Sequence, residues 1–397
     1  MKIAFILPVN GITGGVHVVC HHADSLSRLG HDVTILFVSD SMGMDVTFIG
    51  DFRPKRIRLD DAVNSGTAYD VVIATWWETY YDMFQISASR YMYFCQSDER
   101  RFYPSRMSYE IPFVEHTYLN RGVGVITMAR WIVDWLQREY ETRAEYVPNG
   151  IDLSIFNPDV RPLAPKGERV RVLIEGAGGV FFKRVANAFR ITGRIPDIEV
   201  WYVCGDGYVR PEWKFNRMFS RLSLEEMPPI YASCDILIKL SSVESFSYPP
   251  LEMMACGGTA VAAKFTGHEE YIRHEENALL VEIDDEEEAH RALKRLVDDA
   301  ELRKRLSEGG VRTAQEWQWR PGDTAFANHL ENFLKNGKRV SASDLNSIKI
   351  VNELRKCRKY QEEVLPSRGS SSGRLRDLLR AGKRVVKKIG GIRQNRP

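Results

Sequence analysis

Short apolar runs recur along the chain and alternate with stretches of helical period. Lys2–Val9, Asp32–Val38, Tyr69–Thr75, Tyr91–Cys95 and Val123–Met128 are brief and near-continuously hydrophobic, the pattern of strands buried on both faces. Between them, Val16–Leu29 and Met128–Glu139 carry apolar residues at helical spacing, with Trp131 and Trp135 four apart and read as packing. A second series begins after Tyr146–Pro158: strands at Arg169–Glu175, Glu199–Cys204, Ile236–Leu240, Thr259–Phe265 and Asn277–Ile283, with helices at Ser223–Cys234 and Ala289–Gln315. Strand and helix alternate in both series, so the class is α/β with parallel sheets. At 397 residues two domains are expected, here 1–150 and 151–322.

The stretch 241–257, SSVESFSYPPLEMMACG, holds the most informative chemistry. A strand ends before it, Ser241–Tyr248 is turn-like, and Pro249 and Pro250 suit the first turn of a helix, where a missing N–H costs little. Glu244 then lies in the loop and Glu252 in the first turns of the helix. A loop feeding a helix N-terminus presents backbone N–H groups and a positive dipole end to a phosphate. An acid just inside such a helix can reach sugar hydroxyls beside it. The alternative is that Glu252 complements the helix dipole and Glu244 is solvated. Earlier in the chain, Asn10–Gly15 is a glycine-rich loop between strand and helix. Its sequence is not G-x-G-x-x-G, which argues against a dinucleotide site. Gly14 and Gly15 serve either a tight turn or close approach of a sugar-phosphate.

Glu244, Ser245 and Phe246, followed by Leu251-Glu252-Met253-Met254-Ala255-Cys256-Gly257, resemble the E-x7-E donor motif of the retaining family-4 glycosyltransferases. Asn149-Gly150-Ile151-Asp152 with Phe156 is similar to that family's interdomain stretch, and the Gly14-Gly15 loop extends the likeness over roughly residues 1–335. The resemblance implies a GT-B fold: two facing Rossmann-like domains with a cleft between them, and a last helix, 323–336, returning to the first domain. It implies transfer of a sugar from a nucleotide-sugar to a hydroxyl acceptor, with retention; no metal or other cofactor is expected. Catalytic roles fall to Glu244 and Lys183. Donor contacts fall to Gly14, Gly15, Lys183, Arg184, Ser245, Phe246, Ser247, Tyr248 and Glu252. Acceptor-side contacts fall to Gln96 and Asp98. The chain departs from the family twice. Ala177 stands near the place of an arginine that grips the donor diphosphate, and Gln96, Ser97 and Asp98 stand where many relatives have a histidine. A nucleotide-sugar epimerase and a catalytically weak nucleotide-sugar-binding protein are the alternatives, with an oxidoreductase behind them.

Charge and cysteines narrow the picture. A net charge of +2 gives no reason to expect nucleic acid as a partner. Six scattered cysteines without a C-x-x-C pair suggest reduced thiols, hence a cytoplasmic protein, and no D-x-D is placed to hold a diphosphate-bound ion. The charge is unevenly spread. From residue 374 to 397 there are nine Lys and Arg against Asp377 alone, a net +8, which leaves −6 on the rest. This tail follows a linker and helix at 337–373, with Ser341–Ser343 read as the linker and SRGSSSG (367–373) as flexible by composition. Within 374–393 the apolar residues Leu375, Leu378, Leu379, Val385, Val386, Ile389 and Ile392 fall near one helical face. A basic amphipathic helix of this kind suits an anionic membrane surface. The expectation is a peripheral protein at the inner face of the membrane, acting in polysaccharide biosynthesis on a glycan or lipid-linked glycan acceptor.

Overall fold

The computed structural model describes residues 1–8, 14–38, 51–119, 121–319 and 324–363. The basic tail 374–397 and the Asn10–Thr13 part of the glycine loop lie outside the described residues.

The first domain runs β1 (Lys2–Leu7), α1 (Gly14–Arg28), β2 (Asp32–Phe37), β3 (Lys55–Arg58), α2 (Leu59–Ser65), β4 (Tyr69–Ala74), α3 (Trp77–Asp82), β5 (Ala88–Phe94), α4 (Ile111–Thr117), β6 (Gly124–Thr127), α5 (Arg130–Tyr140) and β7 (Glu145–Tyr146). Among the described residues these strands form one parallel sheet in the order β3-β2-β1-β4-β5-β6-β7. The second domain runs β8 (Arg171–Glu175), α6 (Val185–Thr192), β9 (Glu199–Cys204), β10 (Arg217–Ser220), α7 (Met227–Ser233), β11 (Ile236–Lys239), α8 (Tyr248–Ala255), β12 (Thr259–Ala263), β13 (Leu279–Val281), α9 (Glu286–Asp298) and α10 (Ala300–Glu316). Its sheet is also parallel, ordered β10-β9-β8-β11-β12-β13. Both sheets reverse strand order beside their first strand, and in such sheets ligands meet the carboxyl ends of the strands at that crevice.

The strands read from hydrophobicity are present within a residue or two at most ends. The short edge strands β3 and β10 are not apolar runs: KRIR and RMFS carry charged and polar residues, none of them fully buried, as suits strands at the edge of a sheet. The long helix expected over Ala289–Gln315 is two helices, broken where the Asp299 side chain caps α10 by accepting from the Leu302 N–H.

Two last helices belong to the first domain. α11 (Ala325–Asn336) packs on α1, β4 and β5, burying Phe326, Ala327 and Leu330. α12 (Ala342–Glu363) lies against α3 and α4 through Ile348, Val351 and Leu354. Its buried Arg355 bonds Glu78 at 2.9 Å and sits over the Trp77 and Tyr81 rings. The linker expected at Ser341–Ser343 is therefore the start of a docked helix. The Ser341 hydroxyl caps it, accepting from the Asp344 N–H at 3.0 Å. Among the described residues no helix is long and apolar enough to cross a membrane.

The chain crosses between domains twice, and the crossings are fastened together. The Ile151 N–H donates to the Trp317 carbonyl and the Trp319 N–H to the Ile151 carbonyl. Gly150 is required there, because a β carbon would come within 2.7 Å of the Trp319 ring. Trp319 in turn stacks on His21 of α1.

Candidate active site

The site grows from the carboxyl ends of β8 and β11. These strands pair in register, Ile238 opposite Ile174, so Lys239 lies beside Glu175. Side chains alternate along a strand. Leu173 and Leu237 enter the core beneath α8, and Val172, Ile174, Ile236 and Ile238 enter the core on the other face. Glu175 and Lys239 continue the Leu173/Leu237 face. Lys239 is only 2% exposed, and its Nζ donates to Glu175 Oε2 at 2.5 Å. The loop after β11 brings Glu244 Oε1 to 3.6 Å from the same Nζ. Lys183, on the turn Phe181–Lys183 before α6, reaches that oxygen at 2.8 Å. Lys183 and Glu244, 61 residues apart in sequence, are thus in contact. Burial alone would raise the Glu244 carboxyl, but Lys183 and then Lys239 outweigh it and hold the group below its ordinary value. Burial alone would lower the Lys239 ammonium, but Glu175 and Glu244 hold it above its ordinary value.

The loop then turns sharply into α8. Ser247 has φ of 65°, and its carbonyl accepts from the Tyr271 hydroxyl. Pro249 and Pro250 occupy the first turn as expected, but they replace two of the N–H groups a helix N-terminus would otherwise present. This terminus offers an anion less than the sequence suggests. Phe246 is buried against Tyr248, Tyr271 and Trp317, where it anchors the loop in the core. Glu252 accepts from the Tyr231 hydroxyl at 2.8 Å. Burial pushes its carboxyl up to about 7, against the lowering effect of Tyr231.

Gly14 and Gly15 open α1 on the facing domain. A β carbon on Gly15 would come 3.1 Å from Gln96 Oε1, and one on Gly14 would come 3.8 Å from the Tyr248 ring. The absent side chain of Gly15 therefore leaves room for the protein's own Gln96, while Tyr248 lies at ordinary contact distance from the helix start. Gln96 donates to the Thr75 carbonyl at 3.3 Å. Its Oε1, the Ser247 hydroxyl and the Tyr248 hydroxyl are buried with no partner among the described residues. Gly14, Gly15, Gln96 and Tyr248 thus sit together across the domain boundary.

Two residues of the expected set are engaged elsewhere. Both Asp98 oxygens are taken by Arg100, at 2.7 and 2.8 Å, and Arg100 also bonds Glu115. That carboxylate is paired within the first domain. Arg184 adopts φ of 53° at the start of α6 and bonds Asp284 at 2.7 Å, so it does not share the partner of Lys183. The loop at Ala177 also differs from a phosphate cradle. The Asp206 carboxylate accepts the N–H groups of Gly178 and Gly179 at 3.1 and 2.9 Å, so the chain's own anion fills it. His116 is a buried packing residue on α4, stacked on Tyr81.

The domains touch around this site. The Trp131 Nε1–H donates to the Ser245 carbonyl at 2.9 Å, giving this tryptophan a role beyond packing. Arg101 donates to the Thr266 hydroxyl at 2.5 Å and the Ser242 carbonyl at 3.1 Å. Glu270 accepts from the Arg130 N–H and the Tyr146 hydroxyl. Phe102 packs on Phe182, beside Lys183, with ring centroids 5.3 Å apart.

Residues 216–313 match the family model for glycosyl transferases group 1. The match lies within the second domain, from β10 into α10. The chain is 33% identical over 218 residues to a D-inositol 3-phosphate glycosyltransferase of Stackebrandtia nassauensis, covering 48% of this chain and 49% of that protein. It is 23% identical over 203 residues to an uncharacterized glycosyltransferase of Methanocaldococcus jannaschii, covering 49% and 55%. The chain thus spans about half the length of these curated relatives. The solved structure of Anabaena HepE in complex with UDP-glucose superposes with a TM-score of 0.67 at 13% identity, over 84% of this chain and 99% of that one. The architecture is GT-B.

On the facing side of this GT-B cleft, Glu99 orders the wall. Its Oε2 accepts from the Trp77 N–H at 2.9 Å and the Tyr93 hydroxyl at 2.7 Å, which fixes the start of α3 and the Thr75 carbonyl that holds Gln96. Burial pushes its carboxyl up to about 8, against the lowering effect of Tyr93 and Trp77. The folded state therefore keeps a proton that the unfolded chain loses near the ordinary value of 4.5. Stability contributed by this group falls as pH rises between those values. Glu99→Gln, which is neutral at every pH, should flatten the decline of Tm between pH 5 and pH 8. An unchanged slope would mean that Glu99 is ionised in the folded protein.

Proposed function

We propose that the protein is a retaining, metal-independent glycosyltransferase that moves a sugar from a nucleotide-sugar to a hydroxyl of a glycan or lipid-linked glycan. The observation that carries this reading is the contact of Lys183 with Glu244 at the carboxyl ends of β8 and β11, with Glu252 following on α8. The chemical task is to stabilise a departing nucleoside diphosphate. Lys183 is the cation placed to do this: although paired with Glu244, its side chain is 25% exposed and stands on a three-residue turn. A fixed positive charge aimed at the leaving oxygen contributes on the order of a hundred- to a thousand-fold in rate. Glu252, with a carboxyl near neutrality, accepts ribose hydroxyls once ionised. Glu244 orients the donor sugar and supports charge on an oxocarbenium-like ring. Two ammonium groups already compensate its carboxylate, which makes it a poor nucleophile. Same-face attack, with the leaving phosphate accepting the acceptor's proton, fits these groups better than a covalent intermediate. HepE was crystallised with UDP-glucose, which makes UDP-sugars the first donors to try.

In a transfer assay with a panel of nucleotide-sugars, Glu244→Gln should leave the fold intact and lower turnover by about two to three orders of magnitude. Wild-type activity should survive EDTA. Undiminished turnover in the mutant removes Glu244 from the site, and loss to EDTA with rescue by magnesium or manganese refutes the metal-free reading.

Lys183→Ala should weaken the nucleoside diphosphate more than the bare nucleoside, since the lost charge acts on phosphate alone. Calorimetry with both ligands checks this, and equal weakening assigns Lys183 a structural role.

The basic segment 374–393 is proposed to hold the protein at an anionic membrane surface, each cation contributing roughly 1 kcal/mol there. Liposome co-sedimentation should be strong for the full chain at low salt and weak for a chain ending at Pro366. Equal behaviour of the two removes the membrane from the proposal.

A further inference from the structure

We propose that Lys239 is a positioning residue: it is the permanent counter-ion of Glu244, and it frees Lys183 to leave Glu244 for the donor's diphosphate. This rests on the nucleotide-sugar reading above. In the unliganded protein Lys183 and Lys239 share one oxygen, Glu244 Oε1, at 2.8 and 3.6 Å. The two ammonium groups are mounted differently. Lys183 stands on a short turn with a quarter of its side chain exposed. Lys239 is built into a central strand, is 2% exposed, and is tied laterally to Glu175. A phosphate entering the site can therefore draw away Lys183 and not Lys239. Without a second cation, that movement would strand an ionised carboxylate in a site where only 11% of its side chain meets solvent. The carboxylate would take up a proton and lose the charge on which orientation of the sugar depends.

The groups facing Glu244 are Lys183 and Lys239, the Ser241 hydroxyl and Tyr271. Glu175 and Glu252 act on this set from β8 and α8. The Tyr271 hydroxyl is engaged with the Ser247 carbonyl. Lys239 is thus the cation that remains once Lys183 has moved.

The proton balance of ligand binding tests this without relying on turnover. Titration calorimetry at pH 6, with UDP, ADP and GDP as probes in buffers of different ionisation enthalpy, counts protons exchanged. Glu252, whose carboxyl burial raises to about 7 and which Glu175 and Lys239 both influence, is replaced by Gln in every protein compared, the parent included, so that its proton leaves the count. The parent, Glu175→Gln and Glu244→Gln should give the same count, because Glu244 stays ionised or is absent. Lys239→Met should take up about one proton more than the parent, at Glu244. Lys239→Gln, which keeps a hydrogen-bond donor for Glu175, should do the same and serves if the methionine variant fails to fold. If the Lys239 variants match the parent, Lys239 is structural and the inference is wrong; it is equally wrong if Glu175→Gln takes up the extra proton. If none of the three diphosphates binds wild type, the nucleotide-sugar reading fails, and the inference falls with it.

Discussion

Four charges stand in line at the carboxyl edge of the second sheet: Glu175, Lys239, Glu244 and Lys183. Their spacing follows from parallel pairing, which sets Glu175 and Lys239 side by side, and from a loop that folds Glu244 back over them. An isolated ion this deep would be costly, but here each has a neighbour of opposite sign and the set is neutral. The arrangement keeps the region polar directly above the apolar Leu173, Ile174, Leu237 and Ile238 of the same two strands. It also leaves one member, Lys183, at the open end of the line.

That open end lies where the two domains meet. The contacts that bring the domains together are mostly single hydrogen bonds: Trp131 to Ser245, Arg101 to Thr266 and Ser242, and Arg130 and Tyr146 to Glu270. At about 0.5–1.5 kcal/mol net for each, they sum to a few kcal/mol, comparable with the binding energy of a small ligand. Three of them end on the loop 242–245 or the strand end beside it. The same segment therefore holds the proposed donor group and senses the position of the other domain.

The sequence carried the buried strands and the Glu244–Glu252 loop legibly, because continuous apolar runs and a Pro-Pro helix start leave few alternatives. It hid what depends on pairing between distant segments. Lys239 sits inside ILIKL and is easily absorbed into an apolar run. A lysine in a strand buried on both faces should itself be a signal, since it must find a carboxylate there. Asp98 and Arg184 looked available in one dimension, but Arg100 and Asp284 claim them in three. Helix α12 reads as a charged segment after a linker because its apolar residues are few; in the fold Ile348, Val351 and Leu354 seat it on α3 and α4, and Arg355 lies over the Trp77 and Tyr81 rings.

The stitched crossing at Ile151 and Trp319 has a mechanical consequence. Both polypeptide connections pass through one point, braced by the stack of Trp319 on His21. A body joined at one braced corner opens like a pair of jaws, and displacement grows with distance from the corner. Arg101 and Phe102, with Thr266, Ser242 and Phe182 opposite, form a separate line of closure, held by side chains of the first domain. Few bonds there need to break for the gap beside Lys183 to widen, while the joint itself keeps the alignment to which the jaws return.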